Sequence, residues 1–242
     1  MNIVKNRSLG LITARGGSKS IPLKNIVPVC GKPLIEYSIN ALQKATTINR
    51  VICSTDHEKI ASVVQKLGVE VLDRPDHLCG DLVSSIDVVI DAVETINKSE
   101  GSIPEIIVLI QPTSIFLTST QIDSAVNALL DKPEAKSSQT VIKVPHQFHA
   151  HNQRIMFDDG NDIAFAFQKD REIGHNKQTK PEFYTYGNLI VIRTKALIEE
   201  RTLFARPSIP IVIPLYYAYD LDGQEDIELA EIMINQKLIK DI

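Results

Sequence analysis

The chain has 242 residues, enough to bury a sizeable core within one α/β domain. Hydrophobic residues make up 43% of the sequence and charged residues 23%, proportions that are typical of a soluble globular protein. The formal net charge of -4 disfavours a nucleic-acid-binding protein, because such proteins depend on a broad basic surface. No apolar segment approaches the length of a membrane span, so we expect neither a nucleic acid nor a membrane as partner.

The cysteines indicate whether the cellular compartment of the protein is reducing or oxidising. Cys30, Cys53 and Cys79 show no C-x-x-C spacing and fall in or beside apolar segments. Such a set predicts buried thiols in a reducing environment. The amino-terminal residues MNIVKNRS contain no apolar segment of the kind that a signal peptide needs. We therefore expect a cytoplasmic protein.

Strand and helix patterns alternate along the amino-terminal half. Strands are predicted at residues 9–14, 50–54, 69–72, 106–110 and 140–144, and helices at residues 33–44, 58–67, 85–96 and 119–130. Gly68 is a good residue to end the second helix, and Thr118 stands three residues before Gln121, the spacing of a capping box. This alternation predicts an α/β fold, with a mostly parallel sheet and helices on both faces.

Residues 145–186 interrupt the alternation with a polar stretch. Two short apolar segments, at residues 154–157 and 163–167, flank Asp159 and Gly160, which predicts a β-hairpin that projects from the sheet. A projecting hairpin needs a surface to lie against, so we expect it to mediate a homodimer. The remaining elements are a strand at 189–192, a helix at 194–200, a strand at 211–215 and a helix at 226–238. Residues 1–242 are thus interpreted as one domain with an insertion at 145–186.

The segment ARGGSKSIPLKN, residues 14–25, lies between the first predicted strand and the first predicted helix. Arg15, Lys19 and Lys24 are cations that can surround a polyphosphate, while Gly16 and Gly17 let the backbone approach a ligand closely. Surface loops also carry lysine and glycine, so an ordinary loop is the competing interpretation. The absence of a Walker A sequence and of G-x-G-x-x-G disfavours P-loop proteins and dehydrogenases. The segment predicts a site for a nucleoside triphosphate.

The segment YAYDLDGQEDIELAE, residues 217–231, carries a pair of acidic side chains. Asp220 and Asp222 are two residues apart, so in extended backbone both carboxylates point to the same side. Such a pair suits Mg²⁺, which takes one or two protein carboxylates and completes its shell with water and phosphate oxygens. Asp222 also stands three residues before Glu225, at the start of the last predicted helix. A helix N-cap is therefore the competing interpretation for Asp222.

Four segments in chain order resemble the acylneuraminate cytidylyltransferases, which are the CMP-sialic acid synthetases and their relatives. Residues 14–25 are similar to the motif A-R-G-G-S-K-G-I-P-x-K-N, with Ser20 in place of a glycine. Residues 220–231 are similar to D-x-D followed by D-x-E-L-A-E. Residues 74–85, RPDHLCGDLVSS, resemble R-P-x-x-L-x-x-D-x-x-x-S. Residues 109–118 resemble L-Q-P-T-S-P-L-R, with Ile115 and Leu117 as departures.

The resemblance implies a Rossmann-like nucleotidyltransferase fold and a Mg²⁺-dependent transfer of CMP from CTP to the anomeric hydroxyl of a nonulosonic acid. It implies that Asp220 and Asp222 hold Mg²⁺, that Arg74 and Ser85 contact cytosine, and that Gln111 faces the acceptor. The substrate-binding candidates are Arg15, Gly16, Ser18, Lys19, Lys24, Asn25, Arg74, Ser85 and Gln111. The catalytic candidates are Arg15, Lys24, Asp220 and Asp222, with Lys24 against the α-phosphate.

The acceptor is left open by the insertion, which in relatives helps to form the sugar pocket and a partner-subunit contact. Many sialate enzymes carry R-Q-D-L-P and then N-G-A-I-Y there, whereas this chain reads NKQTKPEFYTYGNLIVI at residues 176–192. Acylneuraminate, legionaminic acid and pseudaminic acid are all candidates. The competing functions are a CMP-Kdo synthetase, a nucleotidyltransferase that joins UTP or GTP to a sugar phosphate, and a nucleotide-binding regulator without activity.

Overall fold

The computed structural model describes residues 2–169 and 180–242. The strands in chain order are β1 (Ile3–Thr13), β2 (Pro28–Val29), β3 (Lys32–Pro33), β4 (Arg50–Thr55), β5 (Glu70–Asp73), β6 (Ile103–Ile110), β7 (Ser137–Lys143), β8 (Arg154–Phe157), β9 (Asp162–Phe165), β10 (Tyr184–Arg193) and β11 (Ser208–Val212). The helices are α1 (Leu34–Lys44), α2 (Glu58–Lys66), α3 (Ser85–Glu100), α4 (Ser119–Leu130), α5 (Thr194–Glu200) and α6 (Gln224–Asn235).

Seven strands form one sheet in the order β11-β7-β10-β6-β1-β4-β5. Strands β1, β4, β5 and β6 are parallel neighbours, and β11 is parallel to β7. Strand β10 runs antiparallel between β6 and β7. The prediction of a mostly parallel sheet is confirmed.

Helices cover both faces of this sheet. In β6, Ile106, Val108 and Ile110 belong to the apolar cluster beneath α1, α2 and α4. The intervening Ile107 and Leu109 belong to the opposite cluster, beneath α3 and α5. Because neighbouring residues of one strand point to opposite faces, a strand buried on both sides needs an unbroken apolar run, and β6 has one.

A third apolar cluster lies at one end of the sheet and holds α6. Ile227, Ala230 and Met233 of that helix pack with Phe116 and with the fully buried Leu221. The cluster therefore fixes the segment that leads into α6. This segment carries both candidate metal ligands.

Several predicted boundaries were wrong at the carboxyl end. The last helix begins at Gln224 rather than at 226, and it ends at Asn235, before Lys237 takes a left-handed φ of 53°. The strand predicted at 211–215 is Ser208–Val212, because Pro214 leads into a short 3₁₀ helix at Leu215–Ala218. The capping box of Thr118 and Gln121 is confirmed.

The predicted hairpin is present as a separate two-stranded sheet, in which β8 pairs antiparallel with β9. The chain turns over residues 158–161, which include the predicted Asp159 and Gly160. Residues 170–179 of the predicted insertion lie outside the described residues.

The three thiols differ in exposure. Cys53 is buried, whereas Cys30 and Cys79 are partly exposed, so the prediction of buried thiols holds for Cys53 alone. In residues 2–169 and 180–242, no helix combines the length and the apolar character that crossing a bilayer requires.

Candidate active site

A cavity of about 330 Å³ lies where β1 and β6 end, at the carboxyl edge of the sheet. Ligands of such α/β sheets bind at this edge. Among the predicted site residues, those lining the cavity are Arg15, Ser18, Lys24, Asn25, Arg74, Ser85, Gln111, Asp220 and Asp222. Gly16 and Lys19 lie beside the cavity in the same loop as Arg15. The cationic and acidic segments therefore face one cavity, although they lie at opposite ends of the chain.

Lys24 joins the two ends of the chain across this cavity. Its ammonium group donates to the Leu221 carbonyl at 2.9 Å and to Asp222 Oδ1 at 3.0 Å. The Lys24 side chain is only 12% exposed. A lysine ammonium has three N–H donors, so one is left for a ligand.

The backbone explains why Asp220 and Asp222 both reach the cavity. Leu221 points into the third apolar cluster, and its N–H donates to the Thr113 carbonyl at 3.2 Å. In extended chain the residues on either side of a buried side chain point the opposite way. Asp220 and Asp222 accordingly both line the cavity.

The competing interpretation of Asp222 as the helix N-cap is wrong. The N-cap of α6 is Gly223, and the carboxylate that holds the first turn belongs to Asp226. Asp226 Oδ2 accepts the N–H groups of Asp222 at 2.9 Å and of Gly223 at 2.7 Å, while Oδ1 accepts the hydroxyl of Tyr219. The Asp222 side chain is 89% exposed, and its carboxylate is left to Lys24 and to a ligand.

The donor set of the acidic pair fits Mg²⁺. Burial raises the pKa of Asp220, and the negative charge of Asp222 raises it further. A hydrogen bond from Thr113 and the positive charge of Lys24 lower this pKa in part. Two carboxylates close enough to repel each other across a polar cavity form a place that a divalent cation stabilises. In the part of the chain that the structure describes, no three His, Cys, Asp or Glu side chains are arranged so that they could hold a metal ion. A metal at this pair would thus complete its shell with water or phosphate.

Gly16 is constrained by its neighbours Asp56 and His57. Its N–H donates to Asp56 Oδ1 at 2.7 Å, and a Cβ at this position would lie 2.6 to 2.9 Å from three atoms of His57. Gly17, in contrast, has open space around it. Asn25 is buried and donates from Nδ2 to the Arg15 carbonyl at 2.9 Å. Asn25 and Asp56 therefore hold the shape of the cationic loop.

Arg74 is largely buried, with 8% of its surface exposed. Its Nε donates to Ser54 Oγ at 3.2 Å, and its Nη2 donates to the Ser54 carbonyl at 2.8 Å. Burial lowers the pKa of Arg74, yet a guanidinium stays protonated at neutral pH. Its remaining donors are those that a ligand can use. Ser85 opens α3 after the N-cap Ser84, and Gln111 follows β6.

The residues that the sequence analysis missed include Asp81 in the cavity wall and Asn188 behind it. Asp81 lies in the cavity wall and pairs with both Arg15 and Lys19, and it is the acidic residue of the R-P-x-x-L-x-x-D pattern. Asn188 is fully buried in β10, where Nδ2 donates to Gln121 Oε1 at 3.0 Å and to the Tyr217 carbonyl at 2.8 Å. It anchors the chain three residues before Asp220. Thr140 of β7 also bonds Asn188, so its partners come from three distant segments and no local pattern marks it.

Two relatives match most of this chain in sequence. The chain is 28% identical over 236 residues to the N-acylneuraminate cytidylyltransferase of Escherichia coli O18:K1:H7, covering 97% of this chain and 53% of that protein, so it spans about half of this relative's length. It is 28% identical over 228 residues to the pseudaminic acid cytidylyltransferase of Campylobacter jejuni subsp. jejuni serotype O:2, covering 94% of this chain and 96% of that relative.

The solved structure of CMP:2-keto-3-deoxy-manno-octonic acid synthetase complexed with CTP has the same fold. The TM-score is 0.68 at 14% identity, over 96% of this chain and 99% of that one. At this identity the likeness concerns the fold alone. A family model described as cytidylyltransferase matches residues 9–237, from within β1 to just beyond α6. Since that match takes in both the cationic loop and the acidic pair, this chain belongs to the cytidylyltransferase family.

Proposed function

We propose that this chain transfers CMP from CTP to the anomeric hydroxyl of a nonulosonic acid and releases pyrophosphate. The observation that carries the proposal is the position of Lys24, which belongs to the cationic loop, residues 14–25, and reaches Asp222 of the acidic pair across one cavity. The two relatives named above support the choice of nucleotide and acceptor, since both are called cytidylyltransferases of such acids.

The charges of the cavity match the charges of the reaction. When the acceptor hydroxyl attacks the α-phosphorus, negative charge grows on the phosphate oxygens and on the leaving pyrophosphate. Groups fixed beforehand near those oxygens stabilise the transition state more than the ground state. We assign Lys24 to the α-phosphate, and Arg15, Ser18 and Lys19 to the other phosphates. Asn25 and Gly16 act through the shape of the loop.

Asp220 and Asp222 are proposed to hold Mg²⁺, which when bound would polarise the phosphate and lower the pKa of the acceptor hydroxyl. Lys24 donates to Oδ1 of Asp222, which leaves Oδ2 of that carboxylate for the metal. Arg74 and Ser85 are assigned to cytosine, with Ser54 fixing the orientation of the guanidinium. Gln111 is assigned to the acceptor side.

The proposal is tested by pyrophosphate release from the purified chain. Each of the four nucleoside triphosphates is combined with Mg²⁺ and with a panel of acceptors, comprising N-acetylneuraminate, pseudaminic acid, a legionaminic acid, Kdo and several sugar 1-phosphates. We expect release with CTP and a nonulosonic acid. Release only with a sugar phosphate, or only with Kdo, would make one of the competing nucleotidyltransferase functions correct. If no combination of triphosphate and acceptor releases pyrophosphate, the remaining interpretation is a nucleotide-binding regulator without activity.

We also propose that the enzyme is a homodimer formed through the hairpin of β8 and β9. Met156 and Ile163 are cross-strand partners on one face of the hairpin, and both side chains are exposed. Exposed apolar pairs of this kind are typical of interaction surfaces. Light scattering at micromolar concentration should give a dimer for the wild type and a monomer for the Met156→Glu/Ile163→Glu variant. Ile232→Glu, an exposed apolar position on α6, is the matched control and should stay dimeric. A monomeric wild type would contradict the proposal.

The cytoplasm is the compartment that we propose for the reaction. Cys30, Cys53 and Cys79 are all free, which is the expected state in a reducing environment. Fractionation of the cells that produce the chain, with detection of the protein and of cytidylyltransferase activity in each fraction, tests this assignment.

A further inference from the structure

Asp81 lies at the end of the cavity that the proposed function gives to the phosphates. Its Oδ1 is 2.9 Å from Arg15 Nη1, and its Oδ2 is 2.7 Å from Lys19 Nζ. Both carboxylate oxygens thus accept from cations that we assigned to CTP. If Arg15 and Lys19 bind phosphate as assigned, the Asp81 carboxylate stands where a phosphate would contact these two cations.

Little else holds Asp81 in place. The Asp81 side chain is 41% exposed, the Lys19 side chain is 80% exposed, and the neighbouring Leu82 is fully exposed. Hydrogen bonding from Lys19, together with the charges of Lys19 and Arg15, lowers the pKa of Asp81, so the group is an anion at neutral pH. Ion pairs as exposed as these contribute little net stability. A polyphosphate with several negative charges can therefore replace the carboxylate.

The cationic loop keeps its shape without Asp81. The Arg15 carbonyl accepts from the buried Asn25, and the Gly16 N–H donates to Asp56. These contacts fix the backbone on both sides of the Arg15 side chain. Loss of the Asp81 carboxylate would then free the charges of Arg15 and Lys19 while the loop stays in place.

We propose that Asp81 is an anionic placeholder, which neutralises Arg15 and Lys19 in the nucleotide-free enzyme and is displaced by the phosphates of CTP. This inference rests on the proposed function, because it takes those two cations as phosphate ligands. Asp81 lowers the affinity for the triphosphate, since its pairs must break and its charge stays near the phosphates. It also favours release of pyrophosphate, because it returns to the cations as the product leaves.

The test compares ligand affinities by isothermal titration calorimetry, at a fixed concentration of free Mg²⁺ and without acceptor. CTP and pyrophosphate are titrated into the wild type, Asp81→Asn, Asp81→Ala and Asp81→Glu. We expect both neutral variants to bind both ligands roughly three- to tenfold more tightly than the wild type. Asp81→Glu keeps the charge and should remain close to the wild type. The difference should shrink as salt is raised, because exposed charges are screened.

Asp76→Asn is the matched control. Asp76 is an exposed carboxylate of the same connection, and its removal changes the net charge equally without touching Arg15 or Lys19. Its affinities should equal those of the wild type; tightening as large as that of Asp81→Asn would overturn the inference by showing a general charge effect. If the neutral Asp81 variants bind CTP as tightly as the wild type does, or more weakly, Asp81 organises the loop. That result would overturn this inference but leave the proposed function standing. A wild type that binds neither ligand would overturn the proposed function as well.

Discussion

Replacing Lys24 with methionine is expected to lower kcat for CMP transfer by roughly 10²- to 10³-fold, which is the cost of removing one fixed group that stabilises developing charge. Methionine keeps most of the aliphatic stem but loses the ammonium that reaches the Leu221 carbonyl and Asp222. Because the third donor of Lys24 is assigned to the α-phosphate, kcat should fall by a larger factor than KM for CTP rises. Steady-state pyrophosphate release at varied CTP measures both constants.

The controls separate this role from a structural one. Lys66→Met, at the exposed end of α2, removes the same charge far from the cavity and should leave both constants unchanged. Lys24→Arg keeps the charge, but a planar guanidinium cannot reproduce the contacts of a compact ammonium, so most of the activity should still be lost. Thermal melts establish that each variant is folded. A folded Lys24→Met enzyme with kcat within about threefold of the wild type would contradict the assignment, since removal of such a group should cost far more.

The parts of the fold that the sequence predicted are those encoded by neighbouring residues. The apolar runs of β4 and β6 mark strands, and the 3.6-residue pattern of α2 marks a helix, because each feature depends on a few adjacent side chains. The meeting of Lys24 with Asp222 could also be anticipated. Parallel strands bring their carboxyl ends to one edge, so loops that follow them share that edge.

The parts that the sequence did not predict depend on distant contacts. The apolar pattern of β10 is the same whether the strand runs parallel or antiparallel, so its direction could not be predicted. The position of Asn188 beside the Tyr217 carbonyl depends on that direction and could not be predicted either. The start of α6 was ambiguous for a different reason. Aspartate and glycine are both good N-cap residues, and only the observed reach of Asp226 back to two N–H groups decides in favour of Gly223.

Replacing Asp220 with asparagine is expected to lower turnover by at least roughly 10²-fold, while the melting temperature measured without metal stays the same or rises. Burial and the nearby charge of Asp222 both disfavour the ionised carboxylate in the folded chain. The asparagine amide has almost the same shape but no charge, so the cost of burying a charge is removed. Its oxygen can still accept the hydrogen bond from Thr113. A residue that is costly to the fold yet needed for activity is the pattern expected of a metal ligand at a functional site.

Asp226 provides the contrast within the same segment. Its carboxylate accepts from the N–H groups of Asp222 and Gly223 and from the Tyr219 hydroxyl, so Asp226→Ala should cost about 0.5–2 kcal/mol of stability, as loss of a helix cap does. Asp222→Asn should lower turnover without raising the melting temperature, since it loses the pair with Lys24. Added Mg²⁺ should raise the melting temperature of the wild type but hardly that of Asp220→Asn. If Asp220→Asn melts several degrees lower without metal and responds to Mg²⁺ as the wild type does, Asp220 is a structural residue and the metal lies elsewhere.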